Sequence, residues 1–358
     1  MFKKLSLATF MGCAVLVIAM WATGNTAQAQ DSTPAATMAA TETAAPLCGP
    51  LASLVVIPAT PDPANASRGP IVYVPKSTDA SYWLAVRKGV DTRAKELGYK
   101  SDYQGPAKAA DIAGQVNLVT NLITSKPAGI LLSASDTKAL VAPAKAAAKA
   151  GVPLVTVDAG IEGNDALAYI ATDNVAAAGV AADTLAKLVG DKGKVGDLGL
   201  DAGSQTGIER EQGFVDAMQK NHPNITVVPV QYTKGCDPAT ALNTATDILT
   251  ANPDLVGFYS AGGPCALGIA QAVKAKKLEG KVKIVTFDAI TESLPLFEDG
   301  TITAMVAQDP FQMGYCGATV IDAVIHGVKL PDTKVGIGVT VITKDNYKSP
   351  AVQKLLNP

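Results

Sequence analysis

The sequence predicts an α/β fold built as two doubly wound lobes. Three observations predict it. Short β-branched apolar runs recur from residue 71 to residue 309, amphipathic segments separate most of them, and the runs are too many for one ordinary sheet. Strands buried on both faces of a parallel sheet read as continuous apolar runs, and the periodic segments between them read as covering helices. A single eight-unit barrel is the alternative that the same alternation allows.

The chain starts with the cationic Met1-Phe2-Lys3-Lys4, followed by an apolar run over 5–22 and the small-x-small triplet Ala27-Gln28-Ala29. Residues 1–29 are therefore expected to be a cleaved secretory signal peptide, with an uncleaved anchor as the second reading. Phe10 and Met11 fit a lipoprotein signal at Cys13 poorly, and the apolar run continues past it. Residues 30–68 are rich in Ala, Thr and Pro and read as a linker, although the apolar patch 51–57 could dock on the folded part.

From there the elements follow in order. The strand IVYVP (71–75) precedes the helical SYWLAVRKGVDTRAKELG (81–98), then IAGQVNLVTNLITS (112–125). The strands AGILLSA (128–134) and PLVTVDA (153–159) flank TKALVAPAKAAAKA (137–150), and AYIATD (168–173) leads into VAAAGVAADTLAKLVG (175–190). The pattern repeats: VGDLGLD (195–201), GIEREQGFVDAMQK (207–220), ITVVPVQYT (225–233), PATALNTATDILTA (238–251), LVGFYSAG (255–262) and CALGIAQAVKAKK (265–277). VKIVTFDA (282–289), ITAMVAQD (302–309) and FQMGYCGATVIDAVIHG (311–327) close it.

Composition narrows the function. The 358 residues carry a net charge of −2 without basic clusters, so a nucleic-acid partner is not expected. The two histidines, His222 and His326, are too few for a histidine metal site or a Ser-His-Asp triad. There is no nucleophile elbow, phosphate loop or dinucleotide fingerprint, and no cofactor is expected.

Ligands of open α/β sheets bind beyond the C-terminal ends of the strands. The residues at those ends are Lys76, Asp79, Ser81, Tyr82 and Trp83, then Asp158, then Ser204, Thr206 and Arg210, then Asp288, then Gln308 and Asp309. Carboxylates accept from vicinal hydroxyls, a guanidinium donates two parallel bonds, and an aromatic face covers the C–H face of a sugar ring. One such Asp alone is more often a helix cap, and a helical Arg is usually solvated; several together at strand ends favour a polyol site. Tyr82 and Trp83 adjoin at a helix start and cannot face the same way, so one packs and the other meets the ligand.

With these residues in place, the chain from about Ile71 onward resembles the periplasmic sugar-binding proteins of ABC importers. The resemblance is to the ribose/galactose-binding type with the type I periplasmic binding fold, related to lactose-repressor effector domains. It rests on ASYWLAVRKGVDTRAKELGY, GVPLVTVDAG, AYIATDN, Arg210-Glu211-Gln212-Gly213-Phe214, ANPD at 251–254, VTFDA and MVAQDPFQMG, in that order. It implies two Rossmann-like lobes joined by three hinge crossovers: 69–171 with a return segment 309–337, and 172–308 with a C-terminal segment 338–358. It also implies a ligand site of Asp79, Tyr82, Trp83, Asp158, Arg210, Asp288 and Gln308. Gly262-Gly263-Pro264-Cys265 stands where the family commonly has Asn-Asp, Cys236 replaces a frequent ligand contact, and Ala134 a common asparagine. Polar contacts are thus lost on the second lobe, which leaves the identity of the ligand open.

The expected function is capture of a monosaccharide or similar polyol by an exported, monomeric binding protein that delivers it to an ABC importer permease. A sensory protein presenting its ligand to a receptor is the alternative. A glycosidase-like pair of Asp158 and Asp288 has only the two carboxylates in its favour. Without the signal, Cys48, Cys236, Cys265 and Cys316 remain, an even number in an exported chain. Cys236 and Cys265 follow neighbouring strands of the implied second lobe and are expected to bond. Cys48 is then left with Cys316, whose helix the resemblance returns to the first lobe; four free buried thiols are the alternative.

Overall fold

The structure, a computed structural model, describes residues 48–55, 60–200, 202–233 and 235–357, and every count of elements refers to these. The segment 1–29 expected as a signal peptide lies outside them. The elements of the first half are β1 (Pro70–Val74), α1 (Ser81–Leu97), β2 (Lys100–Tyr103), α2 (Ile112–Ser125), β3 (Gly129–Leu132), α3 (Val141–Ala150), β4 (Leu154–Val157) and β5 (Tyr169–Thr172). Next come α4 (Asn174–Val189), β6 (Gly193–Gly199), α5 (Gln205–Asn221), β7 (Ile225–Val227), β8 (Gln231–Tyr232), α6 (Pro238–Ala251), β9 (Leu255–Ser260), α7 (Gly263–Ala275), β10 (Lys283–Phe287), α8 (Leu294–Glu298) and β11 (Ala304–Ala307). The chain ends with α9 (Pro310–Ile325), β12 (Lys334–Ile337), β13 (Thr340–Ile342) and α10 (Pro350–Leu356).

Two open sheets result, not a barrel. One runs β12-β5-β4-β3-β1-β2, all parallel; the other runs β13-β11-β10-β9-β6-β7, parallel except for β13, with the short β8 beside β6. The chain passes between the sheets after β5, after β11 and between β12 and β13, which gives the two lobes three crossovers. Strand alternation divides each core. Ile71 and Tyr73 of β1 pack toward α1 and α9, whereas Val72 and Val74 pack toward α2 and α3. In the second lobe, Ile284 of β10 points toward α6 and α7, and Val285 and Phe287 toward α4 and α5.

Local chemistry sets the helix limits. Asp111, Asp173, Asp237 and Asp309 each accept a first-turn N–H as N-caps. Asp309, one of the strand-end polar groups of the sequence, is therefore a cap. Helix α1 ends at Gly98, whose φ of 89° lets its N–H reach the carbonyls of Ala94 and Lys95. Helices α1 and α9 cross in backbone contact. A Cβ on Gly314 would lie 2.0 Å from the Val86 carbonyl oxygen, so no larger residue fits there.

Three strands escape the sequence pattern. β2 is the exposed polar KSDY, and β12 and β13 are short edge pieces. The segment before β1, polar enough to read as linker, carries two 3-10 turns, Gly49–Leu54 and Pro63–Ser67. Leu51 is wholly buried, and Asn65 donates to the Leu97 carbonyl at 2.8 Å. Cys48 is bonded to Cys316 of α9 with Cα atoms 5.4 Å apart. Cys236, in the loop after β8, is bonded to Cys265 in the first turn of α7, with Cα atoms 4.6 Å apart.

Candidate functional site

The C-terminal ends of β1 and β4 in one lobe face those of β6, β9 and β10 in the other across a cavity of about 400 Å³. That volume is in the range of small-molecule clefts, roughly 300–1,000 Å³. Asp79, Tyr82, Trp83, Asp158, Arg210, Asp288 and Gln308 all line it.

Asp158 and Asp288 occupy matching places, each directly after the fourth strand of its sheet when counted from the β2 or β7 edge. Both adopt left-handed backbone, with φ of 65° and 66°. That region is uncommon for non-glycine residues, though Asp is among those that enter it most readily. Both are nearly buried. Asp158 accepts from the Tyr82 hydroxyl at 2.7 Å. Asp288 accepts from Gln308 Nε2 at 2.6 Å and from the Gly263 N–H at 3.2 Å.

Arg210 is only 3% exposed, although a helical Arg is usually solvated. Its Nε donates to Asn174 Oδ1 at 2.9 Å and its Nη1 to the Ala261 carbonyl at 2.8 Å. Its guanidinium carbon lies 4.0 Å from the Phe287 ring centroid. These contacts fix a planar donor fork at the cavity wall. Asn174, the last residue of AYIATDN, is the positioning residue for Arg210, and no strand-end pattern marks it.

Tyr82 and Trp83 meet edge to face with centroids 4.9 Å apart. Both line the cavity, and Trp83 is the more buried of the two, packed into the first-lobe core. Burial, then the charges of Asp158 and Asp288, hold the Tyr82 phenol well above its usual pKa. It stays protonated and donates.

Three further contacts cross the cleft. Lys76 Nζ donates to Ser204 Oγ at 3.3 Å and to Thr206 Oγ1 at 3.2 Å, and Ser81 Oγ donates to Glu292 at 2.8 Å. At the mouth, Lys108 pairs with Asp79 at 2.5 Å. Beside the charged Lys108, Asp237 and Glu292, the strand-end pattern did not reveal the apolar side chains Leu200, Pro264, Leu267 and Ile290. They carry no polar signature, and only the fold brings them together. Among the described residues no group of His, Cys, Asp and Glu is arranged to hold a metal, and no helix is long and apolar enough to cross a membrane.

Comparison with known proteins converges on one family. Residues 71–329 match the family model described as a periplasmic binding protein domain. The D-allose-binding periplasmic protein of Escherichia coli is 32% identical over 265 residues, which cover 72% of this chain and 85% of that protein. The ribose import binding protein of Salmonella typhimurium is 29% identical over 287 residues, covering 78% and 93%. Among solved structures, an ABC transporter solute-binding protein from Agrobacterium vitis bound with α-D-tagatopyranose superposes with a TM-score of 0.77. It is 35% identical, and the match covers 80% of this chain and 99% of that one.

Proposed function

Since the chain belongs to the periplasmic binding protein family, we propose that it captures a monosaccharide or similar polyol between its lobes and delivers it to the permease of an ABC importer. The observation that carries this reading is the meeting of Asp158, Arg210, Asp288 and Gln308 with Tyr82 and Trp83 around one cleft between two lobes. The relatives are sugar-binding and import-binding proteins by name, which supports the same reading. The two carboxylates would accept from ring hydroxyls, and Arg210 would donate to hydroxyl or ring oxygens. Tyr82 and Trp83 would cover the C–H face of the ring. Binding would close the lobes by motion at the three crossovers, with the bonds from Lys76 and Ser81 forming as the cleft shuts. The chain would work as an exported monomer, and binding without turnover requires no cofactor.

A thermal-shift series with pentoses, hexoses and sugar alcohols tests the proposal. A cognate ligand at a hundred times its Kd stabilises the folded state by about 2.7 kcal/mol. A protein that none of these compounds stabilises would not be a sugar-binding protein, and one that converts any of them would be an enzyme.

A further inference from the structure

One corner of the cleft is apolar. The second lobe closes it with Leu200, Cys236, Gly262, Pro264, Leu267 and Ile290, while Asp158, Arg210, Asp288 and Gln308 line the cavity elsewhere and Asp237 and Glu292 add two carboxylates from the second lobe. The residues of the apolar corner form one continuous wall. A Cβ on Gly262 would lie 2.7 Å from Leu200 and 3.2 Å from the bonded Cys236 sulfur, and a Cβ on Gly263 would lie 3.0 Å from Ile290. Pro264 and Leu267 stand three residues apart on α7 and so share a face.

Several backbone groups of this wall are already in use. The Leu200 carbonyl accepts from Thr233, that of Ala261 from Arg210, that of Gly262 from Ser260 Oγ at 2.8 Å, and that of Ile290 from Ser293. The Gly263 N–H is given to Asp288. A ligand hydroxyl pressed against Leu200, Pro264, Leu267 and Ile290 would leave water for side chains that offer no hydrogen bond.

We propose that the preferred ligand is a 6-deoxyhexose, whose methyl group seats against this wall while its ring hydroxyls meet the polar edge. The inference rests on the sugar-binding reading and narrows it. An apolar pocket disfavours an added hydroxyl by up to about a hundredfold, whereas a methyl group gains by leaving water.

Titration calorimetry on the purified chain with matched pairs tests it: D-fucose against D-galactose, L-rhamnose against L-mannose, and D-quinovose against D-glucose. In the series that the polar edge accepts, the deoxy sugar should bind roughly 10- to 100-fold tighter than its parent. Replacing Leu267 by Asn, which sets an amide at the wall, should reduce that preference to less than about threefold. A parent that binds as tightly as its deoxy partner overturns the inference, as does an unchanged preference in a folded Leu267→Asn protein. The wild-type pairs decide alone if that variant does not fold. Binding of pentoses or sugar alcohols with none of the six hexoses overturns this inference and leaves the sugar-binding reading standing. No binding by any compound removes both.

Discussion

The two lobes have the same strand order, yet they offer a ligand different things. Each sheet, counted from β2 or β7, ends its fourth strand in an aspartate with left-handed backbone. In the first lobe that aspartate takes its bond from Tyr82, an aromatic that itself lines the cleft. In the second it is held by Gln308 and a backbone N–H, beside a wall of disulfide, glycine and aliphatic side chains. The common fold fixes where a contact can stand. A few loop residues then decide whether that place is polar, aromatic or inert.

Each lobe also carries one disulfide, and breaking them separately gives the largest expected effect on this comparison. In the chain-entropy treatment the benefit grows with the loop closed. Cys48–Cys316 spans 268 positions and Cys236–Cys265 spans 29. Replacing the first pair by Ala should lower the unfolding free energy by about 5–6 kcal/mol, and the second by about 3–4 kcal/mol. Denaturant titration of the two variants measures both. Alkylation of any of the four thiols without reductant would end the assignment of its bridge.

The two walls should also differ in what they contribute to binding. Arg210→Ala removes a fixed donor from the second lobe, and a ligand oxygen left unpaired costs about 1–3 kcal/mol. Affinity should therefore fall tenfold or more. Tyr82→Phe frees a carboxylate oxygen of Asp158 that a ligand hydroxyl can take up, so its loss should stay below about threefold. Calorimetry with the best sugar of the thermal-shift series checks the pair. Equal losses would mean that Tyr82 contacts the ligand directly and does not serve Asp158.

Much of this contrast could be read from the sequence, and the part that could not has a physical reason. The apolar strands announce themselves because both their faces are buried, so the polar residues that follow them mark the sheet ends. Asp158, Arg210 and Asp288 could be placed in this way. Asn174 ends the AYIATDN stretch, but its bond to Arg210 joins the start of one helix to the interior of the next, which no single-chain periodicity encodes. The wall was harder still, since Leu200, Leu267 and Ile290 look like any core residues until the loops assemble. Strands such as KSDY lack apolar alternation because an edge strand can be paid for by its neighbour's hydrogen bonds.

The central strands supply a third contrast. Tyr73 on β1 is buried with its hydroxyl 3.1 Å from Ser133 Oγ. Asp197 on β6 is equally buried, yet neither carboxyl oxygen has a partner among the described residues. Burial, helped by the charge of Glu211, pushes its pKa from 3.8 up to about 8. Between those two values the folded state holds a proton that the unfolded chain releases, so stability falls as pH rises across that window. Asp197→Asn titrates nowhere. Its stability advantage over the wild type should grow from pH 5 to pH 8 and level off above. Parallel stability curves for the two proteins would show that Asp197 is ionised in the folded state.

The smallest expected signal comes from the aromatic pair. Trp83 is 8% exposed, lines the cleft and meets Tyr82 edge to face. A ring docking beside it would replace cleft water and shift its emission to shorter wavelength, without disturbing the core contacts that hold the indole. Trp21 is the other tryptophan of the chain, so the Trp83→Phe protein supplies the background to subtract. The expected result is a saturable blue shift with the same midpoint as the calorimetric titration, absent from Trp83→Phe. If a sugar binds by calorimetry while the Trp83 emission stays still, the indole belongs to the first-lobe core alone, and Tyr82 is left as the aromatic contribution of that lobe to the ligand.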